Sequence, residues 1–135
     1  KWIREPINYT HSQRIGHGIT AIQDEKLMDY CVQQKLPFEV CITSNTFTKK
    51  VVKLARFHPI RKFFDKGMLV TVNTDDPVFF MTTLLDEYWI CSKSLKFTMD
   101  EIKQLIKNSF IASFISDKEK AEYCNQVEAA FAKLQ

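Results

Sequence analysis

The sequence is short of several features that would mark common functional classes. It has only three histidines, His11, His17 and His58, and its four cysteines show no CxxC spacing, which argues against a zinc ribbon or a thioredoxin-like motif. Its apolar runs fall well below the ~18 residues of a membrane-spanning helix. No secretory segment opens the chain and no basic stripe marks a nucleic-acid surface. We therefore expect a cytoplasmic protein with neither membrane nor nucleic acid as a partner.

Size and composition predict one globular domain. The chain has 135 residues, 45% of them hydrophobic and 26% charged, with a net charge of +3. No linker, repeat or low-complexity tract divides residues 1–135, so we expect no internal boundary. Cys31 and Cys41 fall within apolar patterns, which favours core thiols, a reducing compartment and no disulfides. The first residue is Lys1 and not Met, so we also expect a fragment or a processed piece.

Three apolar runs predict strands, and helical patterns separate them. The strands cover residues 12–15, 38–42 and 68–72. Asp24 is a capping residue that predicts a helix start, and capping boxes at Thr98 and Ser116 predict two more. The proline of His58-Pro59 predicts another helix start. A further helix is predicted over 82–95. Residues 46–57 are ambiguous between a solvated loop and a broken helix. Aromatic and aliphatic side chains around the 82–95 helix are expected in the core: Phe79, Phe80, Leu84, Leu85, Tyr88 and Trp89.

The alternation of continuous apolar strands with helices predicts an α/β fold with a parallel sheet covered on both faces. Polar residues follow each strand: His17 between two glycines, the turn-like cluster Thr43-Ser44-Asn45, and the pair Asp75-Asp76. In α/β barrels the functional residues lie at these carboxyl ends. Three strands cannot close a barrel, which needs eight, so either the sheet is open or most of a barrel is missing.

The pair Asp75-Asp76 is the strongest chemical signal in the chain. Two carboxylates at the end of a buried strand are costly, because an unpaired buried charge loses several kcal/mol of hydration. Such a pair needs a cation, a hydrogen-bonding ligand or solvent. If Asp75 met a metal and Asp76 a substrate, this cost would be offset.

Four segments together resemble the adenosine deaminase family, in that family's order and spacing. They are Arg14-Ile15-Gly16-His17-Gly18, Glu39-Val40-Cys41-Ile42-Thr43-Ser44-Asn45, His58-Pro59-Ile60 and Val72-Asn73-Thr74-Asp75-Asp76-Pro77. The resemblance covers residues 12–131. It implies the C-terminal part of a zinc-dependent (β/α)8 barrel of the TIM type that removes the 6-amino group of a purine.

The resemblance also implies roles for single residues. Asp75 matches a zinc ligand, and Asp76 matches the aspartate that hydrogen-bonds purine N7. His17 matches the catalytic histidine that orients the attacking water or stabilises the charge of the attack. Gly16 matches a substrate-binding glycine, and a glycine at this position favours adenosine as the substrate. Zinc lowers the pKa of a bound water towards ~7, which supplies the nucleophile at neutral pH.

The chain also departs from the family's pattern. The HxH and HAxE-type motifs, which supply the other Zn²⁺ ligands and a proton-transferring glutamate, are absent. The resemblance therefore implies that this chain is the last third to two fifths of such an enzyme. Because catalytic zinc sites generally use three protein ligands, we expect the chain alone to be inactive. Its partner would be the missing N-terminal part of the barrel, in cis or as a second chain. The cytidine-type signature H-x-E…P-C-x-x-C is absent as well.

Several alternatives remain open. The substrate is adenosine, adenine or an N6-modified adenosine phosphate, or the chain is a non-catalytic interaction module, or it belongs to another metal hydrolase of the same barrel superfamily. His58 is expected to be structural, His11 exposed, and Ser44 and Asn45 to brace a strand end. The lysines from Lys49 to Lys53 are expected on a solvated face.

Overall fold

The computed structural model describes residues 7, 11–48 and 51–134. In these ranges the strands are β1 (Ile15–Gly16), β2 (Phe38–Val40) and β3 (Val70–Val72). The α-helices are α1 (Glu25–Gln33), α2 (Ile42–Thr48), α3 (Ile60–Asp65), α4 (Pro77–Phe80), α5 (Leu84–Lys93), α6 (Met99–Ile111) and α7 (Asp117–Ala132). Single 3-10 turns cover Ile19–Gln23 and Ala55–Phe57.

The three strands form a parallel sheet in the order β1-β2-β3. Phe38 pairs with Ile15 on one side and with Val70 on the other, so β2 is the central strand. Successive parallel strands require crossover connections, and here those connections contain helices. The predicted α/β class and parallel sheet are confirmed, and the topology brings the three carboxyl ends to one edge.

The core lies between the sheet and the helices that cover it. Phe38, Val40 and Val70 are fully buried, and Phe63 of α3 meets Phe38 edge to face with ring centroids 6.0 Å apart. Leu105 of α6 is also fully buried. Full burial of one such side chain contributes about 1.5–3 kcal/mol, so this packing holds β2 and β3 in place beneath the polar residues at their ends.

Local capping sets the beginnings of three helices as the sequence predicts. The Asp24 carboxylate accepts the Leu27 N–H at 3.0 Å, which starts α1. Thr98 and Ser116 each form a capping box at the start of α6 and α7. Such a cap contributes about 1 kcal/mol. The helix predicted from His58-Pro59 begins slightly later, at Ile60.

The prediction of a strand to residue 42 followed by a turn was wrong. β2 ends at Val40, and Ile42 starts α2, which contains the whole Thr43-Ser44-Asn45 cluster. The cause is remote in sequence, because the Glu87 carboxylate accepts the N–H groups of Ile42 and Thr43. In the ambiguous range 46–57, α2 continues to Thr48. Lys49 and Lys50 lie outside the described residues.

The predicted inward face of the 82–95 helix was wrong for Leu84, Leu85 and Trp89, whereas Tyr88 packs against the core as predicted. Leu84 is 48%, Leu85 78% and Trp89 60% exposed, whereas Glu87 and Cys91 are fully buried. Phe79, expected in the core, is 64% exposed, and Phe80 and Tyr88 are half-buried. Apolar residues lie on more than one face of α5, and the hydrogen bonds of Glu87 decide which face turns inward. None of the helices described is long and apolar enough to cross a membrane.

Candidate active site

The carboxyl ends of the strands bring His17 and Asp75 together. His17 follows β1 and Asp75 follows β3, and His17 Nε2 lies 3.6 Å from Asp75 Oδ2. Two residues of α2 hold this pair from the side: Ser44 Oγ donates to Asp75 Oδ2 at 2.6 Å, and the Asn45 side-chain amide lies 3.0 Å from His17 Nδ1. All three polar segments that follow the strands therefore contribute to one site.

The backbone at this site is held in an uncommon conformation. His17 has φ 56° and Asp75 has φ 63°, both in the left-handed region. A residue other than glycine adopts this region only when its surroundings impose it, at a cost of about 1–3 kcal/mol. The conformation turns each chain sharply at its strand end, which aims the two side chains at one another.

The glycines on either side of His17 serve different purposes. Gly18 has φ 64°, and a Cβ there would lie 2.3 Å from Phe38 Cε1, so the packing excludes any side chain. A Cβ at Gly16 would meet no atom of the described residues within 4 Å. Gly16 thus borders open space, which is where its predicted substrate-binding role requires it to be.

A cavity of about 550 Å³ opens in front of the pair. The polar side chains that line it are those of His17, Glu39, Asn73, Thr74, Asp75 and Ser109, and Gly16 also borders it. The Glu39 carboxylate pairs with Arg14 Nε at 3.1 Å, so one of the charges near the cavity is already balanced. The volume is in the range of small-molecule sites.

Three possible metal-binding atoms lie within 4.8 Å of one another, from His17, Cys41 and Asp75. Cys41 is 5% exposed. Burial, assisted by the negative charge of Asp75, raises the pKa of its thiol to about 12. Because the thiolate and not the thiol binds metal, a metal at Cys41 would have to displace this proton.

Of His17 and Asp75, the Asp75 carboxylate fits zinc as a ligand, and His17 is expected to lie beside the metal. Both side chains are partly exposed, at 43% and 37%, so further ligands can approach from the cavity. The residues described fit part of a zinc site and fall short of the three protein ligands of a catalytic one.

Asp76 turns away from its neighbour. It is the N-cap of α4, where its Oδ1 accepts the Phe79 N–H at 3.4 Å, and it is exposed. The two carboxylates therefore have different partners, the Phe79 N–H for Asp76 and the Ser44 hydroxyl for Asp75. The substrate contact of Asp76 stays a prediction.

Sequence reasoning missed Glu87. This side chain is fully buried, and its carboxylate accepts the Ile42 N–H at 3.0 Å, the Thr43 N–H at 3.1 Å and the Thr82 hydroxyl at 2.8 Å. It thereby ties the start of α2, which carries Ser44, to the segment after α4. Nothing local marks the residue, since a glutamate in a helix is ordinarily exposed.

His58 is buried at 3% exposure, as its expected structural role requires. Burial lowers the pKa of its imidazole to about 4, so it is neutral at physiological pH. Its Nδ1 accepts the Ile60 N–H at 3.1 Å, and its Nε2 lies 3.1 Å from Asn45 Oδ1. His11 is exposed, as expected.

The model of the adenosine deaminase family matches residues 1–130. The chain belongs to the adenosine deaminase family. It is 37% identical over 128 residues to an adenosine deaminase of Salmonella newport (strain SL254), an alignment that covers 95% of this chain and 38% of that enzyme. The chain therefore spans well under half the length of this relative.

Solved structures agree with this assignment. An adenine deaminase from Arthrobacter aurescens superposes with a TM-score of 0.92 at 31% identity, covering 97% of this chain and 40% of that one. An amidohydrolase from Burkhoderia ambifaria with bound Zn gives 0.88 at 22% identity, covering 98% and 37%, and shows the fold alone. The three strands and their helices are part of a barrel of the TIM type.

Proposed function

We propose that this chain supplies the C-terminal part of a zinc-dependent aminohydrolase that converts adenosine to inosine and ammonia. The observation that carries the proposal is the pairing of His17 with Asp75, 3.6 Å apart, at the carboxyl ends of two strands of a deaminase-family barrel. Active sites of such barrels lie at this end. Both residues are held there by strained backbone and by contacts with α2.

Each residue of the pair has a distinct task in the proposed reaction. Asp75 would hold zinc through its carboxylate, whose Oδ2 is oriented by the Ser44 hydroxyl. Zinc, when bound, supplies the Lewis acid that lowers the pKa of a water molecule. His17 faces the same place with Nε2 and orients the attacking oxygen. Gly16 leaves room for the purine, and Asp76 hydrogen-bonds its N7.

We infer that the rest of the site comes from polypeptide outside this chain, which covers 38% of its Salmonella newport relative. Among the described residues we assign one zinc ligand, Asp75, whereas a catalytic zinc site takes three protein ligands plus a water. We infer that the remaining part of the barrel supplies the others, in cis or as a second chain. The chain of 135 residues by itself is expected to be inactive.

The decisive experiment uses the complete product of the gene, together with any separately encoded partner. Adenosine deamination is followed by the change in ultraviolet absorbance, and zinc is measured by mass spectrometry before and after chelation. Activity that disappears with zinc and returns with it supports the proposal. A zinc-loaded complete protein that leaves adenosine, adenine and N6-methyl-AMP unchanged would overturn it.

Adenine is the second candidate substrate. The structural likeness to the Arthrobacter aurescens adenine deaminase favours it, and groups that contact ribose are expected outside these residues. The ratio of kcat/KM for adenosine to that for adenine distinguishes the two. If the complete gene lacks metal-binding histidines, the chain is instead a non-catalytic module on a shared scaffold.

We place the protein in the cytoplasm. All four cysteines are free, and Cys31, Cys41 and Cys91 are buried as single thiols. Free buried thiols persist in a reducing compartment. Fractionation of cells that express a tagged complete protein tests this placement.

A further inference from the structure

A row of hydrogen bonds leads from the start of α3 to the candidate active site. The Ile60 N–H donates to His58 Nδ1 at 3.1 Å, His58 Nε2 lies 3.1 Å from Asn45 Oδ1, and Asn45 Nδ2 lies 3.0 Å from His17 Nδ1. His58 and Asn45 are 3% and 5% exposed. The inner part of this row is therefore shielded from water, which would otherwise offer alternative partners.

The direction of every bond in the row follows from its first member. A backbone N–H can only donate, so His58 Nδ1 must accept. A neutral imidazole carries one proton, which then sits on His58 Nε2 and is donated to the oxygen of Asn45. That contact sets the orientation of the Asn45 amide, whose NH₂ group must face His17. His17 Nδ1 is then the acceptor, and the ring proton of neutral His17 sits on Nε2.

We propose that His58 and Asn45 are positioning residues that set the tautomer of His17, so that its Nε2–H faces Asp75 and the cavity. Nε2 is the nitrogen that lies 3.6 Å from Asp75 Oδ2. With its proton there, His17 donates a hydrogen bond towards the reacting oxygen and does not compete for the metal with a lone pair. The opposite tautomer would present that lone pair.

The buried, neutral state of His58 supports this assignment. Its pKa is lowered to about 4 by burial, so the ring carries a single proton at physiological pH. A doubly protonated His58 would aim an N–H at the Ile60 N–H, and the contact at Nδ1 would be repulsive. The tautomer assignment itself does not depend on deaminase activity, whereas its catalytic consequence rests on the proposed function.

The test exploits the fact that aspartate has the shape of asparagine but only accepts hydrogen bonds. In Asn45→Asp, His17 Nδ1 must donate, so this nitrogen gains a proton. Ring ¹⁵N chemical shifts of histidine-labelled, chelator-treated complete protein report both nitrogens, and His17→Gln assigns the signal. Wild type should show Nε2–H with bare Nδ1, and Asn45→Asp should show Nδ1–H.

The matched control is Asn73→Asp, which adds the same charge at the cavity that His17 lines. Its own partner is Thr71, so His17 should keep the wild-type pattern. His58→Phe removes the donor that orients Asn45, and His17 should then show averaged tautomers. This variant also serves if Asn45→Asp does not fold.

Three results would overturn the proposal: Nδ1–H in wild type, an unchanged pattern in Asn45→Asp, or unchanged His17 shifts in His58→Phe. In zinc-loaded protein, Asn45→Asp should lower kcat about a hundredfold, within the range of general acid–base effects, with KM nearly unchanged. If the His17 ring shifts change as expected but the complete protein has no deaminase activity, the tautomer assignment stands and the proposed function is refuted. If the protein is active but the His17 shifts do not change in the variants, the proposed function stands and the tautomer assignment is refuted.

Discussion

Ser44 Oγ donates its hydrogen bond of 2.6 Å to Asp75 Oδ2, the same oxygen that lies 3.6 Å from His17 Nε2. One carboxylate oxygen is thus oriented from α2, while the carboxyl group as a whole is 37% exposed towards the cavity side. A metal ligand needs such support, because a carboxylate that rotates freely loses entropy on binding. Partners of this kind typically change metal affinity or activity by about 10–100-fold.

Asp75→Ala in the complete protein should abolish stoichiometric zinc binding and lower activity by about a thousandfold or more, because the metal contributes several kcal/mol to the transition state. Asp76→Ala is the matched control, since it removes the adjacent carboxylate, which is exposed and caps α4. It should keep the zinc and lose part of kcat/KM. Full zinc content in Asp75→Ala, measured by mass spectrometry, would refute the assignment of Asp75 as a ligand.

Ser44→Ala should weaken zinc binding by about 10–100-fold while the fold stays intact. Competition with a chelator of known affinity measures the change, and circular dichroism checks the fold. Ser113→Ala makes a suitable control, because Ser113 also forms a hydrogen bond of 2.6 Å, to the Phe110 carbonyl oxygen. Equal zinc affinity of Ser44→Ala and Ser113→Ala would show that the Ser44 hydroxyl does not support the metal site.

Glu87→Ala should lower the free energy of unfolding by about 2–4 kcal/mol, since it leaves buried backbone N–H groups at the start of α2 without an acceptor. Glu87→Gln keeps an oxygen that can accept and should cost less. Urea denaturation measures both. Glu119→Ala removes an exposed carboxylate of a capping box and should have a much smaller effect. If all three variants unfold alike, Glu87 is not the buried support described here.

Stability should fall as the pH is lowered from about 6.5 towards about 4, through His58. Burial lowers the pKa of His58 to about 4, while an unfolded histidine titrates near pH 6.5. Between these values the unfolded state binds the proton and the folded state does not, so acid favours unfolding. The slope is at most about 1.4 kcal/mol per pH unit. At pH above about 6.5 the contribution is fully present.

Urea unfolding of the complete protein between pH 5 and 7.5 (roughly the upper part of that window) checks this. His58→Phe should reduce the slope, and His11→Gln, which removes an exposed histidine, should not. An identical slope in His58→Phe and wild type would contradict the assignment. The proposal for the His17 tautomer would then lose the neutral His58 on which its first step depends.

Much of this fold follows from local patterns. The alternation of apolar runs with helices predicted three parallel strands, and capping residues such as Ser116 predicted where helices begin. These signals work because a parallel strand buried on both faces must be apolar throughout and a helix start must satisfy free N–H groups within a few residues. His17 and Asp75 could be named for the same reason, since the residue after a strand lies at the sheet edge.

What local patterns could not supply was any contact between residues far apart in the chain. Glu87 sits 45 positions from Ile42, and its hydrogen bond to that N–H turned an expected strand end into a helix. The same buried carboxylate turned Leu85 and Trp89 outwards, against the expected inward face. The Asn45 contacts with His17 and His58 likewise join separate segments.

The sequence by itself determined the order of the three strands, their parallel pairing and the placement of His17 and Asp75 after two of them. Those features depend on side-chain period, caps and turns, which act over a few neighbouring residues. Only the tertiary structure decided which face of α5 is buried and how Ser44 and Asn45 support the pair. The physical reason is that these hydrogen bonds join residues that are close in space but far apart in the chain. The contact between Glu87 and the Ile42 N–H, 45 positions apart, is one example.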